Sequence, residues 1–226
     1  MRVLFSILLC LVFRADSIGQ GFIWLSNIRV PQAFPFTPRA PIYGPEPSDP
    51  TLALTGQTAA GIPAGTQTYG GILLGGTGYT LELWAAPASG PNGASIASPD
   101  DFSFVARTTF RAFGSGLGLS VQRNVSVPGI EPGQTAWLQL RAYDNLGGTI
   151  QSWDQVLAAD GTQVARGVSP ILLSLPLGAT ADTAPWMEGL QSFNIHFVAV
   201  PEPSLAALAL LAAAFGGYAW RRSRTG

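Results

Sequence analysis

Regular alternation of apolar and polar residues is the main pattern in the middle of the chain. It runs through residues 78–86, 101–113, 134–144 and 191–200. Because successive side chains of a β-strand point to opposite faces, this period of two indicates strands with one buried face. Further candidate strands lie at 21–30, 117–127 and 168–175. About 7–9 antiparallel strands, joined by turns rich in Gly and Pro, predict an all-β fold, an antiparallel β-sandwich.

Two segments break this alternation. Residues 31–76 are rich in Pro, Gly, Thr and Ala and hold few aromatic residues after Tyr43. We expect them to form a long surface excursion with one short strand at most, rather than a separate domain. A short helical pattern lies near 152–159, where Ser152 is a suitable N-cap. The folded domain is therefore expected over residues 20–199.

The N-terminal end of the chain is typical of an export signal. Arg2 is followed by an apolar stretch over residues 3–13 and then by small residues. A short apolar stretch of this kind is typical of a cleaved signal peptide rather than of a spanning helix. We predict a signal peptide over residues 1–19, with cleavage after Gly19 or after Ser17.

The C-terminal end holds an apolar run over residues 205–220 that contains no charged residue. As a helix its 16 residues span roughly 24 Å, which is short of the ~30 Å hydrocarbon core of a bilayer. Arg221, Arg222 and Arg224 follow directly, and positive charge at this place marks the cytoplasmic side. We predict a single transmembrane helix over 205–220, with a cytoplasmic basic tail over 221–226 and the domain outside the inner membrane.

Just before this run lies the segment Val200, Pro201, Glu202, Pro203 and Ser204. Neither proline has an amide proton, and Pro203 disfavours helix at Glu202, so we expect an extended backbone there. A Pro-Glu-Pro motif, one hydrophobic segment and terminal arginines, in this order, resemble the sorting signal of PEP-CTERM proteins. The resemblance covers residues 200–226 and implies recognition by an exosortase, a membrane-embedded cysteine protease-transpeptidase of Gram-negative bacteria. The alternative is a permanent membrane anchor.

Several segments of the domain also resemble a group of PEP-CTERM proteins of verrucomicrobial-type bacteria. The similar segments are 21–27, 78–87, 127–129, 139–144 and 189–193. They are spread along most of the mature chain but are loose strand patterns. The resemblance therefore implies only a fold and an exported location.

Composition excludes two classes of function. The chain has no lysine, and between Gln20 and Pro203 seven arginines and 12 acidic residues give a net charge of −5. A nucleic-acid-binding domain needs a basic face, so we exclude nucleic acid as a partner. Cys10 is the only cysteine and lies in the predicted signal peptide, so the mature domain has neither a disulfide nor thiol chemistry.

Candidate catalytic and metal-binding groups are few. His196 is the sole histidine, and we expect it to be an exposed strand residue rather than a catalytic one. Carboxylates that could pair as in glycosidases are Glu82, Asp100, Asp101, Asp144, Asp154 and Asp160. Asp144, Asn145 and Asp154 could offer oxygen ligands to calcium, but their spacing does not match an EF-hand. We predict no metal, no cofactor and no enzymatic activity.

Aromatic residues offer one further candidate site. Trp84, Trp137 and Tyr143 fall on the strand faces assigned to solvent, beside hydrogen-bonding side chains. Flat rings in such surroundings can bind sugars, so these residues form a candidate surface site for an extracellular polysaccharide. The competing interpretation is a second buried face that residues 31–76 cover.

The sequence thus predicts a non-enzymatic exported protein. Its precursor would cross the inner membrane once, with the C-terminus cytoplasmic, until an exosortase-type enzyme processes it for the cell surface or extracellular matrix. The alternative is a carbohydrate-binding or adhesion module that a C-terminal anchor holds permanently in the membrane.

Overall fold

The computed structural model describes residues 19–29, 38–88 and 98–198. The predicted sorting motif, apolar span and basic tail fall outside these ranges, as does the predicted signal peptide apart from Gly19. Within the described ranges, no helix is both long and apolar enough to cross a membrane.

The described residues are mostly β, as predicted, with one α-helix among them. The strands are β1 (Gly21–Leu25), β2 (Ile42–Tyr43), β3 (Tyr79–Pro87), β4 (Ser103–Thr109), β5 (Arg123–Val127), β6 (Ala136–Asp144), β7 (Arg166–Val168), β8 (Leu172–Leu173) and β9 (Phe193–Asn194). The helix, α1, spans Trp153–Ala158. Short 3-10 helices span Pro99–Asp101, Gly114–Gly116, Leu146–Gly148 and Ala181–Thr183.

These strands form three open sheets. The largest, the central sheet, has the order β4-β3-β6-β7 with β8 also paired to β6, and all of its pairs are antiparallel. β1 and β5 form a second antiparallel pair, whereas β2 and β9 pair in parallel. β3 and β6 pair from Tyr79 opposite Asp144 to Pro87 opposite Ala136, which makes them the centre of the sheet.

One face of the central sheet forms the main core, and we call it the core face. Leu81, Leu83, Leu138 and Leu140, predicted to be buried from the alternation, are fully buried there. They join one hydrophobic cluster with residues of β1, β5 and β9, including Phe193. Because burial of one such side chain contributes about 1.5–3 kcal/mol, the core face supplies much of the stability of the domain.

A β-bulge at Val105 changes the face that β4 presents. Leu83 lies opposite Ala106 but Trp84 lies opposite Phe104, so Val105 is an extra residue. A bulge moves the side chains beyond it to the other face of the strand. The strict alternation predicted for this strand is therefore wrong at Phe104, which shares the face of Trp84.

Residues 38–76 do not only lie on the surface, as predicted, but also contribute to the main core. They contain one short strand, β2, as expected, but Ala40, Ile42 and Leu74 are fully buried in the main core. The pairing of β2 with β9 ties the segment to the end of the domain. Sequence patterns could not reveal this, because Ile42 pairs with Phe193, a residue far away along the chain.

Helix α1 lies where the sequence predicts it. The side chain of Ser152 accepts a hydrogen bond from the Gln155 amide at 3.3 Å, which is the expected N-cap contact. Trp153 and Val156 point toward the sheet and pack in a second cluster with Tyr143. The helix therefore covers part of the face opposite the core face, which we call the second face.

Candidate functional site

The three aromatic residues predicted to form a surface site lie in different environments. Tyr143 is 0 % exposed, so the prediction that it binds at the surface is wrong. Trp84 and Trp137 are partly buried. The physical reason is α1, since Trp153 packs on Tyr143 with ring centroids 6.2 Å apart and closes this end of the second face. The competing interpretation, a buried second face, is closer to the structure at this end of the sheet. However, α1 and its flanking segments cover the face here, whereas that interpretation expected residues 31–76 to do so.

Glu82 lies at the centre of the second face. On β3 it stands opposite Arg107 of β4 and opposite Arg141 of β6, so one acidic position lies between two basic ones. Its side chain is 1 % exposed. The Tyr143 hydroxyl donates to Oε1 at 2.9 Å, and the Trp84 indole N–H donates to Oε2 at 2.9 Å. Both carboxylate oxygens therefore have partners inside the protein.

Burial raises the pKa of Glu82 above its ordinary value, because the charged form loses its solvent. The hydrogen bonds from Trp84 and Tyr143 and the charge of Arg107 act in the opposite direction and favour the ionised form. Burial and the neighbouring Glu82 also raise the pKa of the Tyr143 hydroxyl. This hydroxyl therefore stays protonated and remains a donor.

Arg141 is the second buried charged group of this face and is 8 % exposed. Its guanidinium carbon lies 4.0 Å from the centroid of the Trp84 ring and 5.5 Å from that of Trp153. Its Nε donates to Oε1 of Gln139 at 3.0 Å. Burial lowers the pKa of Arg141, whereas the charge of Glu82 acts in the opposite direction. Cation–π contact with two indoles thus replaces part of the lost hydration.

An open cleft of about 270 Å³ lies beside this network, between the sheet and the start of α1. Its lining residues are Glu82, Trp84, Phe104, Arg107, Gln151, Ser152, Trp153 and Asp154. The Phe104 ring meets the Trp84 ring edge to face, with centroids 6.1 Å apart. Arg107 donates to the carbonyl oxygen of Gln151 and so joins β4 to the loop before the helix.

Most of this cleft is not evident from the sequence. Trp84 is predicted as a binding residue, whereas Phe104, Arg107 and Trp153 are not singled out. One usable signal is the presence of the charged residues Glu82 and Arg141 in otherwise apolar strands. A charged residue in the middle of a strand beside aromatic residues indicates either a solvated face or a built polar site.

The carboxylates considered for calcium or catalysis are placed as follows. Oδ1 of Asp144 accepts from the Leu146 amide at 2.8 Å, and the Asn145 side chain bonds the backbone around it. Among the residues that the structure describes, no group of three His, Cys, Asp or Glu could hold a metal ion. Glu82 and Asp154 do line one cleft. Because Glu82 is buried with both oxygens bonded, Asp154 is the carboxylate that is open to a ligand.

His196 is partly buried, where the sequence predicts an exposed strand residue. Its backbone exchanges two hydrogen bonds with Arg166 of β7, both at 2.9 Å. Burial and the charge of Arg166 lower the pKa of the imidazole. Its Nδ1 is buried and has no hydrogen-bond partner within the described part of the chain. These contacts fit a neutral imidazole that packs beside β7.

No protein-family model matches the sequence, and no curated protein or solved structure matches it either. Function is therefore inferred from the geometry of the domain and from the motif in the tail.

Proposed function

We propose that this chain is a non-enzymatic exported protein, which an exosortase-type enzyme sorts and processes at the motif 200–204. The observation that carries the proposal is how firmly the last described residues are held to the fold. Val198, the last of them, still donates a backbone hydrogen bond to Gly161, and the motif begins two residues later in the sequence.

Several parts of the domain hold the residues that follow β9. The backbone amides of residues 195–198 donate to the carbonyl oxygens of Tyr43, Arg166, Pro50 and Gly161, all at 2.9 Å. Strand β7 comes so close that a Cβ on Gly167 would lie 2.1 Å from the carbonyl oxygen of Asn194. Phe193 and Ile195 are fully buried. A cut before Ile195 would thus remove part of the core, whereas a cut at the motif leaves every described residue in place.

The short connection between domain and motif supports a processing site next to the folded protein. At about 3.6 Å per residue, the backbone from Val198 to Pro201 spans about 11 Å at most. An enzyme that acts near Glu202 therefore works against the surface of the domain. In this proposal Pro201 and Pro203 impose an extended shape, Glu202 supplies the recognised charge, and the basic tail holds the span in place.

In this proposal the chain is exported in three steps and carries one folded domain. The signal peptide starts export, and the span 205–220 holds the precursor in the inner membrane with its C-terminus in the cytoplasm. Processing then frees the domain for the cell surface or extracellular matrix. We infer that the domain is an antiparallel β-sandwich, in which β1 and β5 pack against the core face. Its partners are the sorting enzyme, the inner membrane transiently, and an extracellular polysaccharide.

The variant Glu202→Gln tests the proposal, with Glu188→Gln at an exposed carboxylate of the domain as its matched control. Cells are fractionated, and the domain is detected with an antibody, with and without the sorting enzyme. We expect the wild type and Glu188→Gln to leave the inner membrane as a shortened protein, and Glu202→Gln to accumulate as the full-length precursor. Equal processing of both variants, or processing in cells without the enzyme, contradicts the proposal.

A second candidate function is a carbohydrate-binding or adhesion module that the C-terminal anchor holds permanently. The observation that favours it is the cleft, where the Phe104 ring lies beside Trp84 and the exposed Asp154. Retention of residues 205–226 in the exported protein would favour this candidate over the processed form.

A further inference from the structure

We propose that the cleft between β3, β4 and the start of α1 binds an uncharged saccharide, with one sugar ring on the exposed part of Phe104. The proposal deepens the second candidate function, since it concerns the same cleft, and it does not rest on the sorting proposed for the tail. Three features point to this class of ligand, namely an aromatic floor, balanced charge and a polar rim.

The floor of the cleft is aromatic and partly open. Phe104 is 43 % exposed, because the bulge at Val105 turns it away from the core face. Trp84 and Trp153 line the same cleft. Ligand pockets typically combine apolar and aromatic walls with a few placed polar groups. The C–H face of a sugar ring is flat and apolar, so it can pack on the Phe104 ring.

Charge around the cleft is balanced, which disfavours charged ligands. Glu82 and Asp154 line it together with Arg107, and Arg141 lies against Trp84. An organic cation would be repelled by both guanidinium groups, and Arg141 already stacks on the indole that such a cation would use. An anion would likewise be repelled by the two carboxylates. Because attraction and repulsion cancel for either sign, a charged ligand would lose hydration without a net Coulomb attraction, whereas a neutral ligand has no charge to dehydrate.

The rim of the cleft offers both donors and acceptors. The side chains of Arg107, Gln151 and Asp154 are exposed there. A carboxylate only accepts hydrogen bonds and a guanidinium only donates them, whereas each sugar hydroxyl can do both. Hydroxyl groups on one sugar can therefore satisfy both kinds of group. A purely apolar ligand would leave them unpaired, which costs binding free energy.

The cleft is held in shape by contacts within the protein. Trp84 is fixed by its N–H bond to Glu82 at 2.9 Å and by the stacked Arg141. The hydrogen bond from Arg107 to Gln151 fixes the loop on the other side. Side chains that are already ordered lose little conformational entropy on binding. A volume of about 270 Å³ is small for a ligand pocket, so we expect it to hold one or two sugar rings.

Isothermal titration calorimetry on the full chain, in a detergent without a sugar head group, tests the site. Cellotriose, maltotriose and mannotriose are the neutral probes, while trigalacturonate and tetramethylammonium are the charged ones. We expect at least one neutral trisaccharide to bind with a Kd on the order of 1 mM or lower. Neither charged probe should bind more tightly than that trisaccharide.

Two variants and two matched controls locate the binding. Phe104→Ala removes the floor and Asp154→Asn removes the charged acceptor. The controls are Phe113→Ala, at a ring that is 86 % exposed outside the cleft, and Asp182→Asn, at an exposed carboxylate of the 3-10 helix Ala181–Thr183. We expect Phe104→Ala to weaken binding about tenfold or more and Asp154→Asn about threefold, with the controls within about twofold of the wild type.

Four results would overturn the proposal. They are no binding of any neutral trisaccharide, unchanged binding by Phe104→Ala, tighter binding of a charged probe, and release of shorter saccharides. The last result would mean hydrolysis at the cleft, which Glu82 and Asp154 both line, rather than binding alone. Near-ultraviolet circular dichroism checks the fold of each variant. If Phe104→Ala does not fold, unchanged binding by Asp154→Asn, at its exposed position, would overturn the proposal in its place.

Discussion

The two faces of the central sheet are made by the same strands but are stabilised in different ways. On the core face, β3 and β6 present Leu83 and Leu140, which pair with each other and are fully buried. On the second face, the same strands present Glu82 and Arg141, which also pair with each other and are almost as deeply buried. One sheet thus buries hydrocarbon on one side and charge on the other.

The two faces contribute differently to the stability of the fold and to the geometry of the cleft. Burial of apolar area stabilises a fold without demanding particular partners. A buried charge loses its hydration, and its hydrogen-bond and cation–π partners rarely compensate for more than that loss, so buried charged groups are weak evidence of stability. Their contacts do fix the geometry of the groups that they join. We infer that the core face supplies most of the stability, and that the second face keeps Trp84, Arg141 and the cleft in place.

The largest expected effect is on the core face. Leu140→Ala removes a fully buried side chain at the centre of the sheet and leaves a cavity, so it should lower the free energy of unfolding by about 4 kcal/mol. Chemical denaturation measures this value. Leu157→Ala, on the exposed side of α1, is the matched control and should change it by about 0.5 kcal/mol or less. Similar losses in both variants would contradict a stability centred on the core face.

On the second face, Glu82→Gln should lower the free energy of unfolding by about 2 kcal/mol, because the amide nitrogen of glutamine cannot accept one of the two hydrogen bonds that Trp84 and Tyr143 donate to the carboxyl group. The cost should also depend on pH. The folded state binds the proton of Glu82 more tightly than the unfolded state does, so the contribution of Glu82 to stability falls as pH rises from its ordinary pKa of 4.5 through the raised pKa of the folded protein. Chemical denaturation should therefore show that the difference in free energy of unfolding between the wild type and Glu82→Gln is smaller at neutral than at acidic pH. A cost that is constant or rises with pH would contradict the burial of this carboxyl.

Tyr143→Phe removes only the hydroxyl that donates to Glu82 and should cost about 1 kcal/mol. In the Glu82→Gln background the same change should cost less, because a hydrogen bond to the neutral amide oxygen of glutamine is weaker than one to a carboxylate. Thermal unfolding of the single and double variants measures this coupling, with Tyr79→Phe at the start of β3 as the control. Purely additive losses would show that the two side chains do not act as a unit.

The smallest effect on stability is expected at the rim of the second face. Phe104→Ala should lower the free energy of unfolding by about 1 kcal/mol or less, since much of this ring is exposed. Thermal unfolding is the measurement. A loss comparable to that of Leu140→Ala would show that the ring is part of a core. In that case the distinction between a stabilising face and a site-forming face would be wrong.

Local patterns in the sequence predict the elements of this sheet well. The alternation over 78–86 and 134–144 corresponds to β3 and β6, and the Ser152 cap marks the start of α1. These signals work because they depend on residues that are close along the chain. The core face follows from them directly, since burying apolar positions needs no knowledge of a specific partner.

The second face depends on partners that are remote along the chain. The donor to Oε1 of Glu82 is Tyr143, 61 positions away, and the cover is a helix that alternation on the strands does not reveal. The bulge at Val105 adds one residue to a strand whose composition does not mark it. For these reasons the sequence predicts Tyr143 at the surface, and strict alternation along the strand predicts Phe104 on the core face.

The central claim is that the tail is removed beyond Val198 and the domain is released whole. Intact-mass and C-terminal peptide mass spectrometry of the exported protein test this claim most directly. We expect a mature chain that begins after the signal peptide and ends within or next to the motif 200–204, with all of β9 retained. A mature protein that still carries residues 205–226, or one that ends before Val198, would contradict it.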